Sequence, residues 1–232
     1  MDLQVLEIEA SVARILASVP PDVIVVAAAK GRTAQEVQAA LQAGIRHVGH
    51  NYVQQAVAMI PALDKERTEG ERVTWHMIGH VQRNKAKQAV QLFDVIETLD
   101  SWRLALALER RCAQTGQVMP VLVEINSGRE ASKTGVLPQE VDALIERLAD
   151  LQHIRVQGLM TMGPRFGDPE QARPYFRATR AAFERLSIQT LPNVTMRYLS
   201  MGMSNSYPIA IEEGANVVRI GTKIFGPRPQ SE

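Results

Sequence analysis

A lysine ends the first long apolar run of the sequence. Residues 22–31 read DVIVVAAAKG, so an unbroken apolar segment leads directly into Lys30. Alternate side chains of a strand share a face, which puts Lys30 on the same face as Ile24, Val26 and Ala28. Small neighbours leave space beside the amine, and burial disfavours its charged ammonium form. Such a lysine can attack an aldehyde or ketone; the alternative is a loop lysine that points to solvent.

Two glycine- and serine-containing stretches near the C-terminus have the composition of a phosphate site. They read RYLSMGMSNS at residues 197–206 and VVRIGTKIFG at residues 217–226. Gly202 and Gly221 would let backbone amides approach an anion closely, and a helix starting near Ser206 would add partial positive charge. The stretches also supply hydroxyl donors, namely Ser200, Ser204 and Thr222.

A reactive lysine together with a phosphate site indicates a phosphorylated aldehyde as the ligand. Two ligands fit this description: pyridoxal 5'-phosphate (PLP) held as a Schiff base, and the substrate of a sugar-phosphate aldolase or isomerase. The aldolase interpretation requires an acidic proton relay beside Lys30, and Asp22 stands at the wrong end of the strand.

Alternating strands and helices must position these residues. Short β-branched runs alternate with amphipathic helical patterns, and no long linker divides the chain. We predict strands at Val23–Ala29, Arg46–Gly49, Thr74–Ile78, Asp94–Thr98, Pro120–Ile125, Arg155–Thr161, Met196–Ser200 and Val217–Ile220. We predict intervening helices at Thr33–Ala43, Tyr52–Ala62, Arg83–Gln91, Ser101–Thr115, Pro138–Leu148, Pro169–Leu186 and Ser206–Glu213.

This alternation predicts parallel strands, and so many strands in about 200 residues predict a (β/α)8 TIM barrel. The alternative is an open doubly wound sheet with a different strand order. In a barrel, the loops after the last two strands often form a phosphate site, and the last strand lies beside the first. Lys30 and the glycine-serine stretches would then meet at one rim. We expect residues 3–19 to form an N-terminal helix packed on the barrel, with residues 1–232 as a single domain.

Composition excludes several classes of function. The chain has 232 residues and a net charge of +1, so no overall field favours nucleic acid or a membrane surface. No apolar run approaches the ~20 residues that span a bilayer, and the acidic, amphipathic N-terminus is unlike a signal peptide. Cys112, the single cysteine, cannot form an internal disulfide. We predict a cytoplasmic monomer or weak dimer that binds neither nucleic acid nor membranes.

Lys30 and six motifs between residues 23 and 226 carry a family resemblance. The motifs are GHNYVQQ at 49–55, WHMIGHVQRNK at 75–85, VEINSGREASKTGV at 123–136, GLMTM at 158–162, LSMGMS at 199–204 and VRIGTKIFG at 218–226. With these motifs, the sequence resembles the pyridoxal-phosphate homeostasis protein family. The resemblance implies a fold like the N-terminal barrel domain of alanine racemase, with PLP bound through Lys30. It also implies a role in carrying or buffering the cofactor without robust catalytic turnover, with PLP-dependent apo-enzymes as candidate recipients.

The resemblance further implies roles for individual residues. Ser200, Gly221 and Thr222 would hold the phosphate, and Arg219 would lie beside the pyridine ring, near its nitrogen or the phosphate. A guanidinium only donates hydrogen bonds and stays charged, so a pyridine nitrogen facing Arg219 must be unprotonated. The ring is then a weak electron sink, which suits a carrier better than a catalyst. The cofactor-binding residues that we predict are Lys30, Asn51, Ser200, Met201, Arg219, Gly221 and Thr222.

A PLP-dependent amino-acid racemase is the alternative function. Racemisation needs a second acid/base, typically a tyrosine, on the face opposite Lys30. Related racemases take that tyrosine from a separate domain, for which no residues remain in this chain. The sequence predicts Tyr198 on the seventh strand and places the other tyrosines on helices, at positions Tyr52, Tyr175 and Tyr207.

The chain departs from the family at several rim positions. His50 stands where the family usually has a carboxylate, His80 where proline is common, and Asn205 and Ser206 where acidic residues are usual. These changes make the rim less acidic. Lys133 is a second amine at the same end of the barrel, and we interpret it as a solvated loop lysine; the alternatives are a second aldehyde site or a phosphate contact. We predict no metal site, and rim hydrogen bonding instead, for the histidines of strands two and three: His47, His50, His76 and His80.

Overall fold

Eight parallel strands close into a barrel. A computed structural model describes residues 3–65, 72–130, 133–163 and 167–227. Within them each strand pairs in parallel with the next, and β1 pairs with β8, so the predicted (β/α)8 barrel is confirmed and the open sheet is excluded. The strands are β1 (Ile24–Ala28), β2 (His47–His50), β3 (Thr74–Met77), β4 (Val95–Leu99), β5 (Met119–Glu124), β6 (Ile154–Met160), β7 (Val194–Met203) and β8 (Val217–Ile220).

Helices cover the outside of the barrel. In the described part of the chain they are α1 (Leu3–Ser18), α2 (Ala34–Gln42), α3 (Val53–Lys65), α4 (Ala86–Leu92), α5 (Trp102–Thr115), α6 (Val141–Leu148), α7 (Arg173–Ser187), α8 (Tyr207–Glu212) and α9 (Thr222–Phe225). Local sequence sets several of their ends. Thr33 and Glu36 form a capping box at the start of α2. Ser101 caps α5, which ends at Gly116 in the left-handed conformation.

Many predicted boundaries differ from the structure by a few residues, and two of these differences have a clear physical reason. Three predicted helices begin with a 3-10 turn, at Arg83–Lys85, Pro138–Glu140 and Pro169–Ala172. Such tighter turns are frequent at helix starts. In addition, β7 extends past the predicted end at Ser200 to Met203, because Met203 still pairs with Arg219 of β8 after an irregularity in the register. This extension carries β7 up to the rim where the site lies.

The core has a large outer layer and a small inner one. Strand residues such as Val48, Ile96 and Val121 pack against the helices in one continuous cluster. Inside the barrel, Val26 and Val217 form a separate apolar cluster with Ile78. Because parallel strands in this fold are covered on both faces, they have nearly continuous apolar runs. The inner apolar cluster fills only part of the barrel interior, so other interior positions can hold polar side chains.

The helix α1 packs on the closing edge of the barrel. It buries Ile8, Val12 and Ile15 and contacts α2 and α9. The hydroxyl of Ser18 lies 3.0 Å from that of Tyr207 in α8, which links the two helices. The sequence patterns missed α9, since it is only one turn long. No helix in the described ranges is long and apolar enough to cross a bilayer.

Candidate functional site

A cavity of about 380 Å³ opens at the carboxyl ends of the strands. This is the end where barrel proteins place their active sites. Among the described residues that line it none is acidic, and its charged side chains, Lys30, Arg32 and Arg219, are all basic. Its other lining residues are Ala28, Asn51, Ile78, Met162, Pro169, Ala172, Met203, Ser204, Asn205, Ser206, Gly221 and Thr222. The wall is therefore suited to an anion.

Lys30 lines the cavity from the turn that follows β1. The side chain is partly buried, and its Nζ lies 5.1 Å from the centroid of the Tyr52 ring. Within the described ranges its amine has no ion pair with a carboxylate. A cation over an aromatic face is held weakly, so the amine remains accessible to a ligand. The interpretation as a lysine that only points to solvent does not fit this position.

Ser204 joins the ends of β7 and β8 into one cradle. Its Oγ accepts hydrogen bonds from the backbone N–H groups of Gly221, at 3.1 Å, and Lys223, at 3.4 Å. Gly221 and Thr222 line the cavity beside it. The sequence pattern predicts Ser204 as a hydroxyl donor, but Ser204 is not among the predicted cofactor-binding residues. The structure makes it the residue that organises the cradle.

Gly202 has a different role from the predicted one. Its φ is +90°, and an added Cβ would lie 2.6 Å from the Cβ of Ala210 in α8. Gly202 is therefore required for close packing of β7 against α8, and it is not among the residues that line the cavity.

Arg219 forms part of the cavity floor and is held from below. Its Nη2 donates to the carbonyl oxygen of Thr161 at 2.7 Å, and its Nη1 donates to Ser200 Oγ. Nη1 also lies 3.7 Å from Glu97 Oε2. Burial lowers the pKa of Arg219, and the negative charges of Glu97 and Glu124 oppose this effect. The structure thus places a buried guanidinium at the base of an anion-accepting cavity.

Two predicted cofactor-binding residues lie beneath the wall. Ser200 and Met201 are fully buried, and neither lines the cavity. The hydroxyl of Ser200 already donates to Glu97 Oε2 at 2.6 Å while it accepts from Arg219. Direct contact of Ser200 or Met201 with a ligand therefore stays a prediction that this geometry does not favour.

Asn51 reaches the cavity because a glycine lies behind it. Asn51 follows β2 directly and lines the wall. A Cβ added to Gly79 would lie 2.2 Å from the backbone oxygen of Asn51. Only glycine allows this approach of the two loops, which explains the glycine of the IGH segment.

The histidines divide into two groups. His47 and His76 face the barrel interior, where His47 Nδ1 lies 2.9 Å from His76 Nε2. His50 is fully buried against Trp75 and Phe93, and its ring nitrogens have no hydrogen-bond partner among the described residues. The expected rim hydrogen bonding is therefore wrong for His50.

The remaining candidates lie around the rim. His80 bonds to Asp100 at 3.0 Å. No group of three or more potential metal-binding side chains occurs in the described residues. Lys133 Nζ donates to Glu130 Oε1 at 2.6 Å and to the carbonyl of Gly163 at 2.8 Å. These bonds tie Lys133 down, in contrast to the predicted solvated lysine.

Sequence analysis missed two charged residues of the site. Arg32 lines the cavity, pairs with Glu36 at 3.0 Å and donates to the carbonyl of Phe225 at 2.9 Å, so it joins α2 to α9. Glu97 lies inside the barrel below Arg219. The available signal for Glu97 was an acidic residue in the middle of a buried, largely apolar strand, VIETL. No comparable signal identified Arg32.

The fold belongs to the class of barrel proteins represented by the N-terminal domain of alanine racemase. The family model described as alanine racemase, N-terminal domain, matches residues 3–229. An alanine racemase of Clostridium difficile superposes with a TM-score of 0.71 at 12% identity, over 98% of this chain and 60% of that one, and so supports the fold.

Relatives with higher sequence identity show which family within this class the chain belongs to. A pyridoxal phosphate homeostasis protein of Aquifex aeolicus is 40% identical over 185 residues, which cover 80% of this chain and 78% of the relative. PipY of Synechococcus elongatus, solved without PLP, is 33% identical with a TM-score of 0.87, over 94% of this chain and all of that one. PipY with PLP bound has a TM-score of 0.85. The chain belongs to the pyridoxal phosphate homeostasis protein family.

Proposed function

We propose that the protein binds PLP in this cavity through Lys30 and serves cytoplasmic PLP homeostasis as a single barrel domain. The observation that carries the proposal is the cavity itself, in which an accessible lysine shares a wall with the cradle at Ser204 and the charged side chains among the described lining residues are all basic. PLP combines an aldehyde with a phosphate dianion, and the donors in this wall match both groups. The relative PipY, with PLP bound, supports the same ligand.

Each group of the wall has a separate task in the proposal. The amine of Lys30 condenses with the aldehyde carbon to form a Schiff base, with release of water. The hydroxyls of Thr222 and Ser204 hold the phosphate, and the Gly221 N–H, which donates to Ser204 Oγ, is shared with it. Among the described residues Arg219 donates to Thr161 and Ser200, which occupy two of its five N–H donors, so it can also face the pyridine nitrogen. Asn51 borders the ligand at the rim.

Cofactor carriage fits the wall better than racemisation. A two-base racemase needs a second proton-transferring side chain beside the bound substrate. The described residues that line the cavity include no tyrosine, histidine or carboxylate. Tyr52 approaches the Lys30 amine without lining the cavity. We propose that the bound cofactor passes to PLP-dependent apo-enzymes, from a protein that is a monomer or weak dimer.

Lys30→Ala tests the proposal. Purified wild type incubated with PLP should be yellow, and Lys30→Ala should be folded and colourless. Lys133→Ala is the matched control, since it removes another amine from the same end of the barrel and should leave the absorbance unchanged. Full absorbance in Lys30→Ala, or its loss in Lys133→Ala, would refute the assignment. Absence of α-proton exchange from amino acids by the loaded protein would support carriage over racemisation.

A further inference from the structure

A continuous hydrogen-bonded chain of side chains crosses the barrel interior under the cavity. His47 Nδ1 lies 2.9 Å from His76 Nε2, and His76 Nδ1 lies 2.7 Å from Glu97 Oε1. The other carboxylate oxygen of Glu97 accepts from Ser200, which accepts from Arg219. We call these five residues, from strands β2, β3, β4, β7 and β8, the interior relay.

The buried charges of the relay depend on one another. Glu97 is 0% exposed and Arg219 is 4% exposed, so each would be strongly disfavoured without a partner. Burial alone would raise the pKa of Glu97, but the hydrogen bond and charge of His76, with the charge of Arg219 and the bond from Ser200, lower it. The carboxylate is thus kept ionised as the counter-charge of Arg219.

Ser200 converts this attraction into a fixed geometry. Its hydroxyl has one proton, which goes to Glu97, so its lone pairs are available to Arg219. Thr161 accepts from the other end of the guanidinium. The plane of the guanidinium is therefore fixed at two points, and only one of them belongs to the main chain.

We propose that Glu97 and Ser200 are positioning residues, which fix the Arg219 guanidinium on the cavity floor and so control PLP binding without touching the ligand. The proposal rests on the proposed function and goes beyond it, because it assigns ligand affinity to side chains outside the cavity wall. Other charged groups near the relay are Glu124, which acts on Arg219, and Asp94, which acts on His47.

A double-mutant cycle tests the proposal with PLP as the titrant. Glu97→Gln and Ser200→Ala should each weaken PLP binding about tenfold or more, as expected for a lost hydrogen bond to a charged group. The dissociation constant of the double variant should be at most about twofold higher than that of the single variant with the lower affinity. The reason is that both changes interrupt the same connection. Both should also shift the absorbance maximum of bound PLP in the same direction.

Glu124→Gln is the matched control. It replaces another buried carboxyl group, which hydrogen-bonds to Thr134 and acts on Arg219 through its charge, without a hydrogen bond to the described relay residues. Its effect on the dissociation constant should multiply with that of Ser200→Ala. The proposal would be overturned if the fold-changes in the dissociation constant caused by Glu97→Gln and Ser200→Ala multiply in the double variant. Wild-type affinity in either single variant would also overturn it.

Two further outcomes are distinguishable. If Glu97→Gln does not fold, Ser200→Ala decides alone, since it keeps both charges and removes only the bridge. A tenfold loss with an unchanged melting temperature supports the proposal, and unchanged affinity contradicts it. If the wild type itself does not bind PLP, the proposed function fails, whereas binding without the cycle's coupling defeats the positioning role alone.

Discussion

Residues with the same chemical group have different tasks in this molecule because burial and partners differ. Sequence analysis selected three hydroxyl side chains in the glycine- and serine-containing stretches as candidate donors. Ser200 is fully buried between Glu97 and Arg219, Ser204 accepts backbone bonds in the cradle, and Thr222 lines the cavity and is exposed. Thr222 is therefore the hydroxyl most free to bind a ligand.

Thr222→Ala should weaken binding of the phosphate more than it disturbs folding. The loss of one hydrogen bond to a charged group corresponds to roughly 1.5–3 kcal/mol. We expect PLP affinity to fall about tenfold or more, with affinity for pyridoxal, which lacks the phosphate, unchanged. Absorbance titrations with both ligands measure this difference, and an equal loss for the two would argue against a phosphate role.

His50 makes the folded state sensitive to acid. Burial lowers its pKa from 6.5 to about 4, so the unfolded chain binds a proton between these values that the folded chain does not. The contribution of neutral His50 to the free energy of unfolding is thus fully present above pH 6.5 and is lost as the pH falls toward 4. The loss due to this residue approaches about 3 kcal/mol. Burial also lowers the pKa of His47 to about 4, and His47 adds to the same trend.

His50→Leu should flatten the dependence of stability on pH. Urea unfolding of the apo-protein at several values between pH 7.5 and 5 gives the slope. His80→Leu, at an exposed rim position, is the control for replacing a histidine by leucine. An identical slope in wild type and His50→Leu would show that the buried imidazole is not responsible.

At the scale of elements, the site depends on how closely the strand-end loops approach one another. Asn51 and Gly79 follow β2 and β3, and their backbones nearly touch. The β7 strand continues to Met203, which brings Ser204 within reach of the backbone after β8. Loop contacts, more than strand positions, therefore set the shape of the cavity.

Gly79→Ala should reduce both stability and PLP affinity. Its new methyl group would overlap the backbone oxygen of Asn51, so the loop that carries Asn51 must move. Gly116→Ala is the comparison: Gly116 has a φ of +66° and no atom within 4 Å of an added Cβ. It should cost stability by backbone strain while PLP affinity is kept. Thermal melting and PLP titration separate the two effects, and unchanged affinity in Gly79→Ala would contradict this role.

At the scale of the whole molecule, strand order was the most predictable feature. The eight apolar runs reflect strands covered on both faces, a property that each short segment carries by itself. The contacts that make the site were less predictable. Glu97 and Ser200 are 103 positions apart, and neither local periodicity nor a turn signal shows that they meet. The sequence therefore predicts Ser200 as a phosphate ligand and gives no sign of its hydrogen bonds to Glu97 and Arg219.

The helix α1 shows the same contrast between what local sequence predicts and what long-range contacts determine. Its apolar periodicity predicts a helix, and its contacts with α2 and α9 follow from the barrel closing between β1 and β8. The short helix α9 has too few residues for a periodic pattern. Closure of the barrel brings Lys30 and the cradle to one cavity, and it is the step on which the proposed function depends.

Borohydride reduction followed by peptide mapping tests the central claim most directly. Borohydride converts a lysine Schiff base into a stable secondary amine, which marks the residue that carries the cofactor. We predict a single pyridoxyl-phosphate label on the peptide that contains Lys30, at about one label per chain. A label on Lys133 or Lys223 in its place, or no label on a protein saturated with PLP, would contradict the account.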